Sequence, residues 1–180
     1  MFTNRPEKQS KGKEGMKITG SIPGKVKQSL KAAEGRYYKL VLLVGEPGSG
    51  KSTVLRDVAN ELAIPIINVN LELSLRLLDL TPKQRTFHFP KLLEEITETN
   101  NSILVLDHLE LLFDKEMKQD PLRLLQKISR NHSIVASWNG SLEYGRLMYA
   151  VMGHPEYRNY DNPDALIVRM DGAATIDSAK

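Results

Sequence analysis

The 180-residue sequence contains no cysteine, which excludes a disulfide framework, a thiolate zinc site and a thiol nucleophile, and suits a reducing compartment. Long apolar runs are missing too. The best ones, Leu40 to Val44 and Ile103 to Leu106, fall far below the roughly 18 residues of a membrane span, so a soluble chain with no membrane contact is expected. Met1 to Lys13 is polar and basic and lacks the apolar stretch of a secretory signal, so the expected location is cytoplasmic. The histidines, His88, His108, His132 and His154, show no spacing such as HxxxH, and no protein-held transition metal is assigned to them. The length suits one domain of ordinary size and leaves almost no room for a second.

Charge is unevenly placed. Residues 1–31 carry eight Lys and Arg against two Glu, while residues 32–180 carry 17 basic side chains against 20 acidic ones. The first stretch, rich in Lys, Gly, Ser and Asn, cannot bury enough apolar surface to offset chain entropy, so residues 1–20 read as a disordered basic leader. Two readings of it stand: a non-specific contact for DNA or another anionic surface, or a solvated tail ahead of a start at Met16. Residues 21–172 are expected to form the single domain and residues 173–180 a tail.

Order is expected from Ser21, an N-cap, with Pro23 in the first turn of a helix, Val26, Leu30 and Ala33 on one face, and Gly35 as its stop. Tyr37 to Val44 then reads as a strand covered on both faces, since polar alternation disappears after Lys39. It runs into Gly45, Glu46, Pro47, Gly48, Ser49, Gly50, Lys51 and Ser52, which fit GxxxxGK[ST] at every fixed position. Lys51 to Ala63 follows as a helix, completing the strand–loop–helix order of a phosphate-binding loop. Its glycines would turn successive N–H groups toward phosphate oxygens, with Thr53 beside them at the helix start. Lys51 would reach the β- and γ-phosphates and the Ser52 hydroxyl would bind Mg²⁺, so ATP and Mg²⁺ are the expected ligands.

A second buried strand, Ser102 to Asp107, ends in an acid, the Walker B pattern, and Asp107 would hold Mg²⁺ through water. Many related ATPases place Glu directly after this Asp; here His108 follows. Glu110 is therefore the candidate for positioning the attacking water, unless a helix starts at once and turns it outward. Pro65 to Val69 reads as another strand. Leu71, Leu75 and Leu78 make a helical stripe assigned to the core, and Pro90 suits the start of a further helix with Leu92, Leu93 and Ile96 facing inward. Asp120 and Pro121 start a helix through Arg130. Ser133 to Trp138 is the next buried strand, and its end nominates Ser137 or Asn139 as a sensor of the γ-phosphate, although Asn139 before Gly140 also suits a turn. Ala165 to Met170 is the fifth strand. The expected fold is α/β: a P-loop NTPase three-layer sandwich on a mainly parallel five-stranded sheet in order 5-1-4-3-2.

Several stretches together resemble the BrxF-type small P-loop proteins of type 3 bacteriophage exclusion (BREX) systems. They are GEPGSGKS, INVNLELSLRLLDL, DHLELLFD, KQDPLRLLQKISRNHSIVASW, GRLMYA and GHPEYRNYD, spread over Tyr37 to Met170. The resemblance implies a cytoplasmic ATP-binding component of a multi-protein phage-defence system, with other BREX proteins as partners. The wider AAA-type pattern adds a helical lid after the fifth strand, for which ten residues leave no room, so no C-terminal lid domain is expected. An arginine supplied by a second copy, which would make the protein a homo-oligomer, is nominated from Arg146 and Arg158. Tyr144, Tyr149, Tyr157 and Tyr160 crowd the same region, either as a stacking surface for a partner or bases, or as half-buried aromatics. The main alternative function is a small-molecule or nucleotide kinase, since GEPGSGKS also resembles their loops; a DNA-binding accessory protein is third.

Overall fold

The computed structural model describes residues 20–175. Residues 1–19 and 176–180, and with them the DNA contact expected of the leader, lie outside the described residues.

Helix α1, Ile22–Ala33, starts at Ser21, whose side chain accepts a hydrogen bond from the Gly24 N–H. Strand β1, Leu40–Gly45, is buried along its length because it has a core on each side. Leu40, Leu42 and Val44 face one cluster, and Val41 and Leu43 face the other. Helix α1 and helix α2, Lys51–Leu62, cover the second cluster. The first is covered by α3, Val69–Leu77, α4, Pro82–Thr97, and α5, Pro121–Ile128. Between them lie β2, Ile66–Asn68, β3, Ile103–Asp107, β4, Ser133–Glu143, and β7, Leu166–Arg169, parallel to β1 in the order β2-β3-β4-β1-β7. This is the α/β sandwich and strand order expected of a P-loop protein. No described helix is long and apolar enough to cross a membrane.

The sheet is larger than the sequence suggests. β4 continues past its parallel partners and pairs antiparallel with β5, Arg146–Tyr149, which pairs with β6, Arg158–Asp161. Asn139 therefore lies within a strand, not a turn. β8, Ala174–Thr175, adds an antiparallel edge to β7, past residue 172 where a tail was expected. These added strands are short and partly exposed, with Arg146, Arg158, Asn159 and Asp161 among them, so they lack the apolar signal of a buried strand.

Three local expectations are corrected. Helix α4 does not begin at Pro90. It begins two turns earlier, at a capping box in which Thr81 accepts from the Gln84 N–H and Gln84 accepts from the Thr81 N–H. Pro90 is interior and cannot donate to the carbonyl of Thr86; the Gln119 side-chain amide donates to that oxygen instead, at 3.1 Å. The stripe Leu71, Leu75 and Leu78 on and after α3 is exposed, whereas Val69, Leu73 and Leu77 are buried. Both stripes have helical spacing, and only the direction in which α3 leaves β2 selects between them. Gly35 does not take a left-handed conformation; α1 ends with the Arg36 N–H on the Ala33 carbonyl.

The pairing of β4 with β5 depends on Gly140, which lies opposite Tyr149. A Cβ there would stand 1.8 Å from the Met148 carbonyl oxygen and 2.8 Å from its carbon. Trp138 Nε1 donates to the same oxygen at 2.9 Å, so that carbonyl has little freedom to withdraw. Gly140→Ala is expected to destabilise the protein by about 1–3 kcal/mol, the usual cost of overpacking. Gly35→Ala, with open space around its Cβ and no left-handed backbone to strain, is expected to be neutral or to stabilise by under about 1 kcal/mol. Denaturant unfolding of the two variants checks both values.

Candidate nucleotide-binding site

The parallel strands end along one edge, and the candidate residues stand on those ends. Register pairs Gly45 with Asn139 and Asn68 with Asp107, so the loop after β1 lies beside the ends of β4 and β3. Gly48 and Gly50 have φ of 78° and 93°, conformations that side-chain-bearing residues rarely adopt. Gly50 is the N-cap of α2 and supplies no side-chain cap, so the first N–H groups of that helix face the loop's concavity.

Lys51 is only 6% exposed. Its ammonium donates to the carbonyls of Gly45 at 2.9 Å and Glu46 at 2.7 Å, and to Ser49 Oγ at 3.3 Å. Burial pushes its pKa below the ordinary lysine value, against the pull of the Asp107, Glu110 and Glu46 carboxylates. Asp107 is buried at the end of β3. Burial alone would raise its pKa, but hydrogen bonds from Ser52, Ser137 and the His108 N–H, the last at 2.9 Å, outweigh it and hold the carboxyl below its ordinary value.

Glu110 reaches the same place by an unusual path. His108 has a left-handed backbone, φ 56°, so the chain turns sharply after Asp107 before entering a 3₁₀ turn over Glu110–Phe113. The carboxylate is then gripped at both oxygens. Asn70 Nδ2 donates to Oε2 at 2.8 Å and Asn139 Nδ2 to Oε1 at 3.2 Å. Asn70 is itself tied to this turn twice more, through the Leu111 N–H on its Oδ1 at 2.8 Å and its own N–H on the His108 carbonyl at 2.9 Å. His108 is exposed, with Nε2 3.7 Å from Asp107 Oδ2.

A cleft of about 330 Å³ joins these groups: its walls include Gly50, Lys51, Ser52, Asp107, Glu110 and Asn139, with Thr53 and Ser137 also on its surface. The residues suit a nucleotide triphosphate with a hard divalent cation. The loop offers N–H donors and an ammonium for phosphate, and Ser52 with Asp107 offers oxygen ligands of the kind magnesium takes. Arg146 and Arg158 stand elsewhere, on β5 and β6. Arg146 Nε pairs with Asp161 across the strands at 2.8 Å, and Arg158 donates to the Tyr157 carbonyl. Of the four tyrosines, Tyr149 is buried and stacked on Phe113 with ring centroids 3.4 Å apart. Tyr157 and Tyr160 are half-buried and Tyr144 is fully exposed. Asn70 is the site residue that motif spacing misses: a lone Asn after a short strand has no pattern of its own, and only the fold brings it to Glu110.

No curated protein matches the chain. The solved structure of C. elegans PCH-2 is similar at 19% identity and a TM-score of 0.39, over 68% of this chain and 37% of that one; the chain thus spans little over a third of that protein's length. Residues 41–136, more than half of the chain, match the family described as ATPase family associated with various cellular activities (AAA). With its phosphate loop and its β3 acid inside that match, the chain belongs to the AAA ATPase family.

Proposed function

We propose that this protein hydrolyses ATP slowly, as a nucleotide-driven regulatory or assembly component of an anti-phage defence system of the BrxF type. The observation that carries the hydrolytic part is the grip of Asn70 and Asn139 on the Glu110 carboxylate at the rim of the phosphate cleft. The loop N–H groups and the Lys51 ammonium bind and neutralise the phosphates. Magnesium, when bound, supplies Lewis-acid charge at the phosphate oxygens, with Ser52 and Asp107 as the residues that would hold it. Glu110 orients the attacking water and draws on its proton; each carboxylate oxygen has two acceptor sites, so one amide donor on each leaves capacity for a water. Asn70 positions Glu110, and Asn139 stands where it can sense both Glu110 and the terminal phosphate.

The defence role rests on the sequence stretches that resemble the BrxF-type proteins, and it puts the chain beside other BREX proteins in the cytoplasm. Oligomerisation is frequent in AAA proteins, and in this proposal a second copy would meet Arg146 or Arg158 on the outward hairpin. The kinase alternative draws less support. Arginines over the transferred phosphate are what such enzymes use, and no arginine is among the described residues lining the phosphate cleft.

Lys51→Ala is expected to abolish tight ATP binding without lowering the melting temperature; wild-type affinity in a fluorescent-nucleotide titration would remove the site assignment. Asp107→Ala is expected to lose the Mg²⁺-dependent part of that affinity. Glu110→Gln keeps ATP and loses about 10²–10⁴-fold in turnover, the range for a general base. Asn70→Ala keeps ATP affinity and loses about 10–100-fold in kcat, as misplacement of a reacting group does. Normal turnover in both Glu110→Gln and Asn70→Ala would assign the water to another residue. In a host carrying the defence system, Lys51→Ala should abolish phage exclusion if the BrxF-type assignment holds.

A further inference from the structure

Next to the phosphate cleft lies a larger one of about 550 Å³, within the range of about 300–1,000 Å³ typical of small-molecule sites. Glu110, Asn139 and Pro47 line both. Its far wall comes from the turn between β5 and β6. Ala150 takes a left-handed φ of 58° and Gly153 one of 93°, and the turn is closed by the His154 N–H on the Val151 carbonyl and the Tyr157 N–H on the His154 carbonyl. The base of this turn is anchored by Tyr149, stacked on Phe113 and edge-on to Trp138. Tyr149 and Gly140 both belong to the lining of the cleft, which is thus tied to the aromatic stack.

Its chemistry is one-sided. Three carboxylates, Glu46, Glu110 and Glu156, line it against a single histidine. His154 accepts the Glu156 N–H at Nδ1 over 3.1 Å. The lining also has an apolar part, Pro47, Ala150 and Val151, the last 74% exposed, beside the polar Asn139 and Ser141. The same negative field reaches the wall. Burial first, and then the charges of Glu110 and Glu156, push the Tyr149 phenol above its ordinary value. An anionic ligand, or a neutral one without hydrogen-bond donors, would desolvate these carboxylates without compensation. A ligand with several cationic groups on an aliphatic body would satisfy the carboxylates and cover the apolar part of the lining.

We propose that this cleft binds a linear aliphatic polyamine, with its ammonium groups on Glu46, Glu110 and Glu156 and its methylenes against Pro47, Ala150 and Val151. Since Glu110 belongs to both clefts, an occupant here touches the group proposed to handle the attacking water, and so gives the nucleotide site a second, cation-dependent input.

The test is calorimetric titration of spermidine into the full, nucleotide-free chain, which keeps it independent of ATP binding and turnover. Saturable one-to-one binding is expected, weakening as salt is raised. Glu156→Gln, at a half-buried carboxylate outside the phosphate site, should weaken it about tenfold, the scale of a lost charge-assisted hydrogen bond. Glu98→Gln, on a separate surface beside Glu94 and Lys127, should not weaken it. 1,8-Octanediol, an aliphatic body without charge, should not bind. Absence of saturable binding, an equal loss in Glu98→Gln and Glu156→Gln, or equal affinity for the diol would each overturn the proposal.

Discussion

Burial of β1 on both faces governs the rest of the molecule. A strand whose alternate side chains enter two separate cores must lie in the middle of a sheet with helices on either side. Parallel neighbours then follow from the crossover helices, and parallel strands end at the same edge. The register that sets Gly45 beside Asn139 and Asn68 beside Asp107 follows from packing, yet it places every polar group of the site. Lys51, Asp107, Asn70 and Asn139 come from four different segments and meet because apolar side chains elsewhere align the strands.

Charge in the site is held rather than merely present. Asp107 loses solvation at the end of β3 and regains it from Ser52, Ser137 and the His108 N–H, so its carboxyl sits below the ordinary value despite burial. Lys51 is answered by two backbone carbonyls and by the field of three carboxylates. Glu110 is fixed by two amides from opposite sides. Such preorganisation limits the reorientation needed when charge develops during reaction. It has a local cost at His108, a non-glycine residue in the left-handed region, a conformation that costs on the order of 1–3 kcal/mol. The hydrogen bond from the Asn70 N–H to the His108 carbonyl helps to offset that strain, and the same asparagine side chain then holds Glu110.

The extension of β4 shows how one strand can serve two purposes. Its first half is buried core, and its second half, beyond Asn139, carries the β5–β6 turn out to one side of the phosphate loop. Gly140 permits the close approach of the Met148 carbonyl, and the stack of Tyr149 on Phe113 fastens the turn to the segment that follows Glu110. The hairpin and the Glu110 segment therefore share a hydrophobic anchor and are not independent attachments.

The amino-acid sequence alone determined the phosphate loop, the β3 acid and the central strands, because each depends on local features: glycine positions, apolar run length and capping residues. Ser21, Asp120 and the GxxxxGKS stretch act through bonds to residues a few positions away, and short-range interactions are legible in one dimension. Tertiary structure decided what depended on direction. Two leucine stripes of equal spacing competed on α3, and Leu73 and Leu77 rather than Leu71 and Leu75 were buried, since only the path out of β2 tells them apart. Pro90 could stay inside α4 because Gln119, 29 residues later in the chain, supplies the missing donor. Whether Glu110 faced the site or the solvent turned on one left-handed residue and on an asparagine 40 positions earlier. Pairing across such separations is set by the fold as a whole, because the contact has no local partner to announce it.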